Sequence, residues 1–169
     1  MKVLVLGVGN LLLSDESVGV RLVEALEARY QWPNEVTLMD GGTAGMELME
    51  SIGSCTHLLI LDAVRGPELP GTLLEKRDDE VPIFFRNRIS PHQLGISDVL
   101  AMLTLTGKVP ERMQLLGIVP ESLETGLDLS ATIAGKFELL VQRACEVIVA
   151  WTGQPPLPAT AGREPAACV

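Results

Sequence analysis

The sequence predicts an α/β domain: a mostly parallel sheet of about five strands with helices on both faces. Three observations predict it. Apolar runs of strand length alternate with helix-length stretches that carry an apolar stripe. One run, Leu58-Leu59-Ile60-Leu61, is apolar at every position, as a strand covered on both faces must be, because both alternating sets of side chains then meet hydrocarbon. Carboxylates and glycines collect where the runs end, and ligands bind there in open sheets of this class.

The first strand spans 3–8. Val18, Leu22, Val23 and Leu26 then recur at helical spacing and predict a helix over 15–30, ended by the Pro33 region. The second strand is 36–39. After Asp40-Gly41-Gly42, Thr43 is a candidate helix cap, and Met46, Leu48, Met49 and Ile52 give an apolar face up to Gly53. The third strand is 58–61, and 72–75, after the Pro70-Gly71 turn, reads as a fourth, less buried strand. A helix over 96–105, a strand over 113–119 and a final helix over 129–151 complete a single domain, 1–152. The remainder, 153–169, holds four prolines without periodicity and is expected to be a disordered tail, because it cannot bury enough surface to offset its ordering entropy.

Composition narrows the function classes. The chain has 169 residues, 47% of them apolar, which suits one core. No apolar run approaches the roughly 20 residues of a membrane span. The opening Val3-Leu4-Val5-Leu6 is broken by Gly7, Gly9 and Asn10 and lacks a cleavage site, so a buried strand is expected there rather than a signal peptide. Cys55, Cys145 and Cys168 are odd in number and have no Cys-x-x-Cys spacing, which argues against a disulfide framework and a thiolate zinc site and for the cytoplasm. A net charge of −9, with no lysine or arginine stripe to offset it, excludes nucleic acid as a partner.

If the strands run parallel, Asp15-Glu16, Asp40, Asp62 and Glu121 lie along one rim. Each has a bland reading. Asp15 and Glu16 stand where a helix begins and would complement its dipole. Asp40, before two glycines, would simply close a turn. Asp62 ends a buried strand on a charge, which is costly without a partner, hydrogen bonds or a metal. Of the two histidines, His57 starts the third strand, away from the rim, and reads as structural. His92 lies in Ser90-Pro91-His92-Gln93-Leu94-Gly95, read as a loop, where function concentrates and inert histidines are also common. Together Glu16, Asp62 and His92 would offer two carboxylates and an imidazole, suited to zinc, nickel, iron or manganese, although their spacing alone is a weak signal. No Gly-x-Ser-x-Gly elbow is present, and Cys55 reads as a small buried residue. Phe84-Phe85-Arg86-Asn87-Arg88, read as a loop, fits either a docking surface or rings packed in the core.

The run Gly7-Val8-Gly9-Asn10-Leu11-Leu12-Leu13-Ser14-Asp15-Glu16-Ser17-Val18-Gly19 resembles the opening motif of the nickel-iron hydrogenase maturation endopeptidases. Asp40-Gly41-Gly42-Thr43-Ala44-Gly45, Asp62-Ala63, Ser90-Pro91-His92-Gln93 and Gly117-Ile118-Val119-Pro120-Glu121-Ser122 resemble that family's later motifs in the same order. The resemblance runs to about residue 150 and implies a three-layer fold around a twisted sheet. It implies that Glu16, Asp62 and His92 bind nickel, with Asp40, Glu16 and Asp62 as the catalytic carboxylates. The implied substrate is the nickel-loaded large-subunit precursor of a hydrogenase, whose C-terminal extension is cut after a basic residue near its last nickel-binding cysteine motif. The nickel would come with the precursor, and the enzyme would act as a cytoplasmic monomer. Ser17 stands where many members carry glycine or alanine, and the tail beyond Gly153 matches no motif.

Three rival readings make different demands. A dinucleotide-binding domain would use Gly7-Val8-Gly9 and Asp40, but Leu12 replaces the third glycine and Asp15-Glu16 would repel a pyrophosphate. A resident-metal aminopeptidase needs more ligands than one histidine and scattered carboxylates provide. A binding-only hydrogenase chaperone would use the same rim without cutting.

Overall fold

A computed structural model of the chain describes residues 1–86 and 91–159, and of 91–94 the backbone only. Its centre is a five-stranded sheet in the order β3-β1-β4-β6-β5, formed by β1 (Val3–Val8), β3 (Val36–Gly42), β4 (His57–Ala63), β5 (Leu73–Arg77) and β6 (Arg112–Ile118). Strands β3, β1, β4 and β6 are parallel, and β5 closes the edge antiparallel to β6. Side chains alternate across a strand, so β1, β4 and β6 each feed two cores. Val5, Leu59, Leu61 and Leu116 pack against α1 (Val18–Arg29) and α6 (Phe137–Thr152). Leu6, Leu58, Ile60 and Leu115 pack against α2 (Met49–Ser54), α3 (Glu80–Arg86) and α4 (Pro91–Thr106). The three expected layers are therefore present. No helix among the described residues is long and apolar enough to cross a membrane.

Several boundaries differ from the sequence expectation. The helix expected over 15–30 begins as a 3-10 turn, Ser14–Ser17, and α1 ends at Arg29, where Tyr30 turns extended (φ −136°, ψ 147°) to start the short β2 (Tyr30–Gln31). Thr43 caps nothing: a 3-10 turn, Met46–Leu48, opens at Gly45 and leads into α2. The loop expected across Phe84 and Phe85 is α3, and both rings are buried edge to face, which decides for core packing, with Asn87 and Arg88 outside the described residues. The loop expected around His92 is the first turn of α4. Proline suits that place because the N–H it lacks would have no partner inside the helix. The final helix is broken at Gly135 and Lys136, leaving α5 (Ala131–Ala134) ahead of α6.

The tail also departs from expectation in its described part. Gly153 ends α6 in the left-handed conformation (φ 69°), and β7 (Leu157–Pro158) pairs antiparallel with β2, with the Ala159 N–H donating to Arg29 O at 2.9 Å. Backbone pairing at the end of α1 supplies order that no apolar periodicity advertised. Residues 160–169, including Cys168, lie outside the described residues.

Candidate active site

The carboxyl ends of β1 and β4 are brought under the start of α1 by bare backbone. A Cβ on Gly19 would lie 2.1 Å from Leu61 O and 2.4 Å from Val8 O, and one on Gly7 would lie 2.3 Å from Gly19 O. Gly9 has φ 137°, and a Cβ there would lie 1.7 Å from Glu16 O. Glycine is required at these contacts because a side chain at Gly7 or Gly19 would push α1 off the strands, and one at Gly9 would push away the 3-10 turn ahead of it. The dinucleotide reading fails on the same geometry, since the Glu16 carbonyl fills the space beside Gly9 that a phosphate would need.

The 3-10 turn separates two adjacent acids. With about three residues per turn, successive side chains point roughly 120° apart. Asp15 is 0% exposed and turns toward the segment after β6. Its Oδ2 accepts from the N–H groups of Glu121 and Ser122, both at 2.9 Å, and its Oδ1 accepts from the Ser130 N–H at 2.7 Å. The sequence reading chose Glu16 for the ligand set and gave Asp15 only a helix-start role; the structure makes Asp15 a long-range anchor. Ser14 ahead of it takes φ 44°, unusual for a residue with a side chain, and is held by donating its N–H to Gly126 O and its hydroxyl to Glu124 O, both at 2.9 Å. Glu16 is 6% exposed, and Asp62, inside β4 rather than after it, is 1% exposed. Gly7 of β1 is level with Leu61 of β4, so Asp62 stands at the strand end against which this turn packs. Two carboxylates are thus buried in one region at the carboxyl end of the sheet.

Asp40 shares that end on the neighbouring strand, level with Gly7, but is exposed. Its Oδ1 accepts from the Gly42 N–H at 2.8 Å, closing the turn as the bland reading expected. Glu121 is exposed on the segment anchored by Asp15. The side chain of His92 lies outside the described residues, but its backbone belongs to the first turn of α4. That turn is seated glycine on glycine: a Cβ on Gly95 would lie 2.9 Å from the Cα of Gly45, in the loop that follows β3. The chain segments of Glu16, Asp62 and His92 accordingly converge on one end of the sheet. Among the described residues, no three His, Cys, Asp or Glu side chains group to hold a metal ion.

The remaining candidates are structural. His57 sits at the opposite end of β4, edge to face with Trp151 at 5.2 Å and with Nδ1 2.9 Å from Thr56 Oγ1. Burial holds its pKa below the ordinary histidine value. Burial pushes the Cys55 thiol up to about 11, and its Sγ donates to Ile52 O at 3.1 Å, so it is no thiolate nucleophile at neutral pH. Sequence reasoning missed the Asp15 anchor and the Gly45–Gly95 seat. The acid at a helix start and the glycine one turn into a proline-led helix were their only signals.

The chain is similar to known proteins over most of its length. The family model described as hydrogenase maturation protease matches residues 20–147. The chain is 50% identical over 151 residues to the hydrogenase 2 maturation protease of Escherichia coli K12, covering 89% of this chain and 90% of that one. It is 43% identical over 148 residues to the hydrogenase expression/formation protein HoxM of Azotobacter vinelandii, covering 86% and 72%. The structure superposes on the hydrogenase maturating endopeptidase HybD from E. coli with a TM-score of 0.90, at 45% identity, over 96% of this chain and all (100%) of that one.

Proposed function

Because this chain belongs to the hydrogenase maturation protease family, we propose that it removes the C-terminal extension of a nickel-loaded hydrogenase large-subunit precursor, reading the nickel through Glu16, Asp62 and His92. The observation that supports this reading is the burial of Glu16 and Asp62 at one end of the sheet, the end where the loop after β3 seats the first turn of the helix that bears His92. A divalent cation would offset the desolvation cost of two buried carboxylates. Two carboxylate oxygens and one imidazole nitrogen leave coordination positions open, which suits a metal already held by thiolates of the precursor. The nickel is therefore part of the substrate.

The reaction is hydrolysis. Water adds to the scissile carbonyl carbon, the C–N bond breaks, and the water proton passes through a carboxylate to the leaving amine. Asp40 is an exposed carboxylate at this end of the sheet and is assigned the proton transfer, with Glu16 and Asp62 orienting the metal end of the precursor. The cut follows a basic residue close to the precursor's last nickel-binding cysteine motif. A monomer in the cytoplasm, where the thiolates stay reduced, suits this task.

The test uses two tubes. Metal-stripped protease with nickel-loaded precursor should give a shortened product by mass, and nickel-treated, desalted protease with empty precursor should give none. The reverse result would show that the metal belongs to the protease. Glu16→Gln, Asp62→Asn and His92→Ala should each abolish processing in the first tube while unfolding cooperatively, and normal cutting by any of them removes that residue from the site.

A further inference from the structure

Two segments beside Glu16 expose leucine at the surface. Leu12, on the β1 side, is 60% exposed, and Leu127, after β6, is 63% exposed, with Leu11 also at the surface. The segments are zipped together: Leu13 bridges Gly126, the Gly126 N–H donates to Leu12 O, and the Ser14 N–H donates to Gly126 O, both at 2.9 Å. Arg21 donates from its guanidinium to Leu127 O and, through Nε, to Ser17 Oγ at 2.8 Å. Asp15 pins the start and the end of the second segment. Exposed leucines are ordinary singly, but leucines from two facing segments, held by backbone bonds at the edge of a reaction site, make a preorganised apolar surface. Charge indicates what covers it. Glu121, Glu124 and Asp128 are exposed on the same segment, and neither 9–17 nor 119–130 contains a lysine or arginine.

We propose that Leu12 and Leu127, with Leu11, form a docking ledge for the large-subunit precursor, receiving a stretch of its surface that mixes apolar with basic side chains. This rests on the functional reading above and adds the residues that capture the partner. Apolar contact supplies the hold, and the surrounding acids steer a basic partner toward it. Because the ledge abuts the Glu16 turn, a precursor seated there has its metal end beside the buried carboxylates.

Steady-state processing of the nickel-loaded precursor tests the proposal. Leu12→Ser and Leu127→Ser, and the milder Leu12→Ala and Leu127→Ala, should raise KM roughly tenfold in the paired variants while kcat and the thermal midpoint stay unchanged. Leu105→Ser, at the far end of α4 and 82% exposed, should leave both constants alone. Added salt should raise the wild-type KM, and Glu124→Lys with Asp128→Lys should blunt that dependence. An unchanged KM in the leucine variants, or a fall in kcat at constant KM, overturns the ledge. A wild-type protein that leaves the precursor uncut overturns the functional reading instead.

Discussion

Asp15 and Glu16 are chain neighbours, both buried, on a 3-10 turn that separates their side chains. Asp15 contributes its carboxylate to three backbone donors across the fold. Asp15→Asn keeps the shape but turns an amide N–H₂ toward those donors. It should cost about 3 kcal/mol, since each hydrogen bond to a charged group contributes about 1.5–3 kcal/mol. In a domain of this size that lowers the thermal midpoint by roughly 6–12 °C, readable by calorimetry. An unchanged midpoint would mean that water substitutes for the anchor. His57 supplies a pH dependence. Its folded pKa lies below the ordinary value of 6.5, chiefly through burial. The unfolded chain therefore binds more protons at this site as pH falls below about 6.5. The His57 contribution is intact above that pH and is lost as pH falls toward the lowered folded pKa. Urea titrations should show the acid-side loss diminished in His57→Gln, and an identical slope in both proteins would reject it.

At the scale of elements, backbone contacts without side chains set the site. The start of α1 lies on β1 and β4 through Gly7, Gly9 and Gly19, and the start of α4 lies on the loop after β3 through Gly45 and Gly95. Gly95→Ala would bring a Cβ within 2.9 Å of the Gly45 Cα, so one backbone must move by a few tenths of an ångström. His92 lies one helical turn earlier and would move with it. The variant should lose about 1 kcal/mol of stability or less, a small displacement against a two-sided core, yet lose roughly tenfold or more in processing, because misplacing a site by a fraction of an ångström is expensive. Wild-type turnover in Gly95→Ala would show that α4 is not positioned by this seat.

At the scale of the whole molecule, the hydrophobic cores and the site depend on the five-stranded sheet, while β2 and β7 form a separate two-stranded ribbon at the far end of α1. A chain ending at Gly153 loses the Tyr30–Pro158 and Gln31–Leu157 pairing. It should unfold about 1 kcal/mol more easily, on the scale of one or two exposed backbone hydrogen bonds, and still process precursor at the wild-type rate. A soluble truncation that folds but no longer cuts would place the C-terminal segment in contact with the substrate.

The sequence by itself determined what is local. β1 falls at 3–8 as its apolar run indicated, and the doubly buried character of Leu58 to Leu61 is plain, whereas the acids at the strand ends share one end of the sheet only because β1, β3, β4 and β6 pair parallel. Motif order was legible too, since four of the motifs are strand ends with their following turns, while Pro91-His92-Gln93 opens α4. Tertiary structure alone decided which of Asp15 and Glu16 anchors a distant segment, which glycine meets which backbone, and that two residues of the tail pair with Tyr30 and Gln31. Those outcomes rest on partners up to 128 residues away, as in Tyr30 with Pro158, and no local propensity encodes a contact whose other half is chosen by the fold.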